Sequence, residues 1–242
     1  MNEKKADLIA QLLAKAESTT PEEAEALTAA AERMMVKYMI DQATIDERRA
    51  KKGQAAEKIV EIRLDFTGAY RIELVNLSAS VIYGLGSLRA LQYTGNPRQA
   101  SVWVIGFESD ATQAAALIRS LHVQSMVALR QWWNENREDY RYETAYLKGR
   151  ARESFIRGFG AGAGKRIREN RRTIISEAGT GTDLVLASRD ARVQSYLNEK
   201  NTRRGRSRSA TAGGASFAGG YIAGQQANTG ERQMTQGRGI ER

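Results

Sequence analysis

The chain has 242 residues, 41% of them hydrophobic, with no cysteine and 37 Lys/Arg against 28 Asp/Glu, a formal net charge of +9. That length supports one large or two small domains with real cores, and the lack of cysteine excludes a disulfide framework, a thiolate zinc site and a cysteine nucleophile. No run of about 18 apolar residues occurs and the N-terminus scatters charges through its apolar positions, which reads as a soluble, cytoplasmic protein.

The first segment places Leu8, Ile9, Leu12 and Leu13 at helical spacing. Thr20 before Pro21, with Glu23 three positions on, predicts a new helix start: a threonine N-cap, proline as first helical residue and a glutamate closing a capping box. Ala24, Leu27, Ala31, Met34, Met35 and Tyr38 then form one stripe, so the spacing predicts two antiparallel helices. A third, charged helix is expected from Asp41 to about Lys52, stopped by Gly53.

"KIVEIRLDF" alternates Ile59, Glu61, Arg63 and Asp65 with Val60, Ile62, Leu64 and Phe66, the pattern of a half-buried strand. Helical spacing returns at Leu74, Leu77, Ala79, Val81 and Ile82. "SLRALQYT" and "QASVWVIGF" flank Gly95-Asn96-Pro97, a hairpin signal. Ser109 or Asp110 is the expected cap of a long helix whose stripe comprises Ala114, Leu117, Ile118, Leu121, Met126 and Trp132. Helix is predicted again from about Ala145 to Arg172, then a short strand in "TDLVLASRD" and a helix in "DARVQSYLNEK".

The fold class expected is α+β. It comprises a helical N-terminal domain (1–53), a small, mostly antiparallel sheet covered by long helices (57–140), a basic helical region (141–200), a disordered basic linker (201–214), a glycine-rich helix (215–227) and a polar tail (228–242). The linker reading rests on composition: four arginines and no aromatic or large aliphatic residue to offset chain entropy.

Charge divides unevenly. Residues 1–140 carry 17 Lys/Arg and 19 Asp/Glu, residues 141–242 carry 20 and 9, so the positive field belongs to the second part. Such a field favours polyanions, nucleic acid above all. The alternative is a solvated surface with a solubilising tail.

"SFIRGFGAGAGKRIRE", residues 154–169, invites comparison with a phosphate-cradling loop. A P-loop needs glycine five positions before Gly164 and a hydroxyl after Lys165; Phe159 and Arg166 stand there. Nor does an apolar strand lead into Gly158-x-Gly160, as a dinucleotide fold requires. A better comparison is internal. "SFIRGFGAG" and "SFAGGYIAG" share S-F-x-x-G-[FY]-x-x-G, so Gly158 and Gly162 correspond to Gly220 and Gly224. Residues four apart share a helix face, and small residues there let two backbones approach. The two glycine helices are expected to pack on each other or on one partner surface, a second copy of the chain included.

Candidate chemistry is sparse. His122 is the only histidine, its nearest carboxylates in sequence being Glu108 and Asp110, and it reads as structural. No cofactor or metal motif is present, and the pairs Glu22-Glu23 and Glu138-Asp139 read as capping or surface charge. The reading therefore leans away from an enzyme. Arg141, Lys148, Arg150, Arg152 and Arg157, interleaved with Trp132, Trp133, Tyr140, Tyr142 and Tyr146, suit a nucleic-acid surface, although Trp132 and Tyr142 are expected in the core. Lys165, Arg166, Arg168, Arg171 and Arg172 extend the set, and Arg203, Arg204, Arg206 and Arg208 suit nonspecific phosphate contact.

The run from Ile9 to Asp41 resembles the start of the family catalogued as domain of unknown function 2786, found in actinobacteria, bacteriophages and other mobile elements. Leu12, Leu13, Ala16, Glu17, Ser18, Glu23, Ala24, Ala26, Ala30, Met35, Lys37, Tyr38 and Ile40 carry the match. "VWVIGFESDATQAAALIRSLHVQSMVAL" and "SFIRGFGAGAGKRIRE" resemble the region beyond that domain in longer members. The resemblance implies a helical domain before an α+β domain and a DNA-related or host-takeover role, and brings no catalytic residues. The function expected is therefore a non-enzymatic nucleic-acid-associated protein with weak sequence preference; that context favours DNA as the partner, while the residues themselves do not choose between DNA and RNA. The alternative is an adaptor docking a host or phage protein through the N-terminal helices.

Overall fold

The computed structural model describes residues 2–51, 57–178, 182–200 and 214–227. Helices α1 (Asn2–Glu17) and α2 (Pro21–Lys51) form an antiparallel hairpin. Thr20 Oγ1 accepts the Glu23 N–H at 3.4 Å, while the Glu23 carboxylate turns to the Thr19 hydroxyl and to Lys15 Nζ at 3.0 Å. Only half of the predicted capping box is made.

The separate helix expected from Asp41 is absent. No glycine or proline interrupts 22–52, so α2 continues, and Asp41 pairs with Lys5 Nζ at 2.7 Å instead of capping anything.

Strands β1 (Ile59–Thr67), β2 (Arg89–Tyr93) and β3 (Gln99–Phe107) form an antiparallel sheet in the order β1-β3-β2. Ile62 faces Val104, and Ala90 faces Val104 from the other side. The central strand explains its own composition. Ala100, Val102 and Val104 enter the main core, whereas Ile105 and Phe107 enter a smaller one with Val193. β1, at an edge, alternates.

Helix α3 (Arg71–Leu85) and helix α4 (Glu108–Asn136) cover the main-core face. Val75, Leu77, Ile82, Leu117, Ile118 and Leu121 are at most 1% exposed, each burial contributing roughly 1.5–3 kcal/mol. α3 ends at Gly86, whose φ of +92° only glycine adopts cheaply. Ile9, Leu13, Met35 and Met39 of the hairpin join this same core.

The expected Ser109 or Asp110 cap of α4 is not used. The helix starts at Glu108 straight from the strand, and its first amides find distant partners: Lys58 O accepts from Glu108 N at 3.0 Å and Glu57 Oε1 from Ser109 N at 2.6 Å. Asp110 is instead buried against Arg189 at 3.0 Å.

Helix α5 (Ala145–Glu177) runs five residues past the expected end, and α7 (Ala215–Gln226) packs on it. The strand expected in 182–190 is also replaced: α6 (Thr182–Glu199) is helical throughout. Its Val193, Tyr196 and Leu197 cover the second face of the sheet, so a helical stripe of period 3–4 wins over the short apolar run. Residues 201–213 and 228–242, read as linker and tail, lie outside the described residues.

Candidate functional site

α5 organises the candidate site. Thr144 Oγ1 accepts the Leu147 N–H at 3.2 Å and opens the helix. The glycine stretch is helix from end to end, not a loop. At 100° per residue, Gly158 and Gly162 share one side and Gly160 and Gly164 point nearly opposite.

Each row meets a backbone. A Cβ on Gly160 would sit 2.7 Å from Leu77 Cα and one on Gly164 2.6 Å from Ser80 O, both on α3. A Cβ on Gly158 would sit 2.8 Å from Tyr221 N and one on Gly162 2.8 Å from Gln225 N, both on α7. Reciprocally, Cβ atoms on Gly220 and Gly224 would lie 2.9 Å from Phe155 Cα and 2.8 Å from Phe159 Cα. Contacts on α7 climb as α5 climbs, so the two helices run parallel. The four glycines between 158 and 164 cost about 0.5–1 kcal/mol each in propensity, and two close helix contacts offset that cost.

With α3 on one side and α7 on the other, α5 keeps one outer strip. Arg150, Arg157, Ala161, Lys165, Arg168 and Arg172 recur there at helical intervals. Arg150, Lys165, Arg168 and Arg172 are exposed and Arg157 partly so. Arg150 lies 3.1 Å from Glu153 and Lys165 3.7 Å from Glu169. Lys165 also lies 5.9 Å from the Tyr221 ring, and the neighbouring Tyr221 hydroxyl, with Glu169, holds its ammonium above the usual lysine range. Phe217 and Tyr221, stacked 6.4 Å apart, edge this strip from α7.

The remaining predicted cations are placed elsewhere. Arg141 lies in the turn before α5, 4.0 Å from Glu138, and Lys148 donates to Arg141 O at 3.2 Å. Arg152 turns to the Trp133 ring at 3.9 Å. Arg203, Arg204, Arg206 and Arg208 lie outside the described residues.

Two must be corrected. Arg166, 3% exposed, is buried in an ion pair with Glu32 of α2 and donates to Gly224 O at 3.2 Å, because its position on α5 points inward between α2 and α7. Arg171 turns inward beside Gly86, where a Cβ would meet its guanidinium at 2.5 Å, and burial lowers its pKa.

The aromatic expectations divide. Trp132 packs on Phe155 at 5.1 Å and against Gly219, as expected for a core ring. Tyr142, expected in the core, is 94% exposed, because it falls in the turn before α5 with nothing beneath it.

His122 is half-buried, edge-on to Phe66 at 5.7 Å, and burial lowers its pKa. It lines a cleft of about 330 Å³ with Arg63, Asp65, Thr67 and Arg119. Asp65 thus comes near from a distant strand, but Ser101 Oγ donates to it at 2.6 Å and Arg63 Nε at 2.8 Å, which hold its pKa down. Both bonds fall on Oδ1, and among the described residues no hydrogen bond joins Asp65 to His122, so the two are a poor acid–base pair. Among the described residues no three His, Cys, Asp or Glu converge to hold a metal ion.

Sequence reasoning missed Glu32. A lone carboxylate between Ala31 and Met35 on the apolar stripe was its only signal. It also missed that cations on α5 sort by helical angle into an outer strip and inward positions, a signal present in the spacing.

This architecture defines an α+β protein whose glycine-lined central helix presents a cationic strip. Residues 7–42, the α1–α2 hairpin, match the family described as "Protein of unknown function (DUF2786)", so the N-terminal part of the chain is similar to that family. No curated protein and no solved structure matches the chain. No helix among the described residues is long and apolar enough to cross a membrane.

Proposed function

We propose that the protein is a nucleic-acid-associated protein that holds the phosphate backbone along the outer strip of α5, with weak sequence preference and no chemistry of its own. The observation that carries this reading is the alignment of Arg150, Arg157, Lys165, Arg168 and Arg172 on one open face. Twenty-two residues of helix separate the first from the last, about 33 Å. Helix α5 has nine Lys/Arg to three Asp/Glu, so the strip's field is not cancelled from within. Guanidinium groups meet phosphate oxygens without reading bases, which gives affinity with little sequence selection. The arginines at 203, 204, 206 and 208 would add to the same field.

The adaptor reading through the N-terminal hairpin has less support. Ile9, Leu13, Met35 and Met39 are already buried in the chain's own core and offer a partner nothing.

The test is binding of labelled oligonucleotides, single-stranded and duplex, between about 50 and 200 mM salt. Three to five phosphate contacts predict a log–log slope of roughly −2 to −4. Arg168→Gln and Arg172→Gln each reduce the slope by about 1 with unchanged melting. Absence of binding to either polymer at the low-salt end would sink the proposal.

A further inference from the structure

We infer that the strip takes unpaired rather than duplex nucleic acid, with Tyr142 and Tyr146 as stacking platforms at its N-terminal end; this rests on the phosphate-binding reading above. Most aromatics near α5 have a packing reason. Trp132 fills the space over Gly219 and Phe155, and Trp133 lies between neighbours, with Tyr140 at 5.4 Å and Arg152 at 3.9 Å. Tyr142 and Tyr146 have none. They are 94% and 72% exposed, and among the described residues the single ring contact of the pair is the Arg141 guanidinium 5.7 Å from Tyr142.

Tyr146 lies four residues before Arg150, hence on the same side of α5 as the cationic strip, and Tyr142 lies four before that, in the turn leading in. A ring held in water at the end of a phosphate track has an apolar face to cover. Bases within a duplex are already stacked on each other and do not offer theirs. Unpaired bases do, and the tyrosine π-face accepts any of them. The weak sequence preference expected of backbone contacts is preserved by such stacking.

The experiment uses the full chain with fluorescent oligo(dT), oligo(U) and a duplex of the same length at about 50 mM salt. The unsubstituted protein is expected to bind the single strands more tightly than the duplex. Tyr142→Ala/Tyr146→Ala lowers single-strand affinity about tenfold or more, leaves duplex affinity within about twofold and leaves melting unchanged, since both rings are exposed. Tyr142→Phe/Tyr146→Phe retains the affinity because the π-face remains. Oligo(dT) against oligo(U) tells deoxyribose from ribose strands, and tighter binding of either than of the duplex supports the inference. Duplex binding as tight as single-strand binding, or single-strand affinity untouched by the alanine pair, overturns it while leaving the phosphate strip standing. Loss of affinity for both polymers in Arg168→Gln/Arg172→Gln, with no loss for either polymer in the tyrosine pair, is the signature of a strip without stacking and also overturns it. No binding of any probe by the unsubstituted protein overturns both.

Discussion

Gly162→Ala and Gly149→Ala place the same methyl group in the same helix and are expected to shift stability in opposite directions. At Gly149 nothing lies within 4 Å of the added Cβ. The change there only improves helix propensity, by about 0.5–1 kcal/mol, and raises Tm by roughly 1–4 °C for a chain of this size. At Gly162 the same gain is set against the backbone of α7, where Gln225 N lies 2.8 Å from the new atom and the Tyr221 carbonyl closer still. Backbone cannot swing aside as a side chain does, so the upper part of the overpacking range, about 3 kcal/mol, applies. The net loss is about 2 kcal/mol, or some 4–8 °C in Tm if α7 unfolds with the rest. Hydrogen exchange locates the effect: Gly162→Ala accelerates α7 amides ahead of those in α4. A Gly162→Ala protein that melts higher, as Gly149→Ala does, would refute parallel docking through the glycine faces.

Arg166→Met leaves Glu32 buried and unpaired and removes the bond to Gly224 O, with an expected loss of about 3–5 kcal/mol in urea unfolding at pH 7; Glu32→Leu/Arg166→Met recovers most of it. Burial pushes the Glu32 carboxyl up to about 7 and that of Asp110 up to about 6, despite the opposing arginines. Their folded-state pKa values exceed the unfolded ones near 4, so the stability they contribute is whole below about pH 4 and is lost as pH rises through 6 and 7. Urea titrations across that window should show stability falling with pH, and Glu32→Gln should flatten the upper part; a profile unchanged by the substitution contradicts the assignment.

Much of the architecture was legible where a local pattern had one physical meaning. Alternation at 59–66 marked a strand with one buried face, and Gly95-Asn96-Pro97 between two apolar runs became the β2–β3 connection. Expectations failed where a residue's partner was remote. Asp110 looked like a cap until Arg189, 79 residues away, claimed it, and the cap of α4 came from Glu57. The run at 182–190 looked like a strand because its few apolar residues serve two periods, and it is helical as part of α6, whose Val193, Tyr196 and Leu197 pack on the sheet.

The amino-acid sequence by itself determined the α+β class, the helical hairpin, the sheet's strands and the repeated glycine pattern, because each depends on periodicities of a few residues. Only the tertiary structure decided which cations remain available. Arg166 and Arg168 are two positions apart on one helix, and a rotation of about 200° separates an arginine held by Glu32 from one facing water. Composition counts both as positive charge; only the placement of α2, α3 and α7 around α5 distinguishes them.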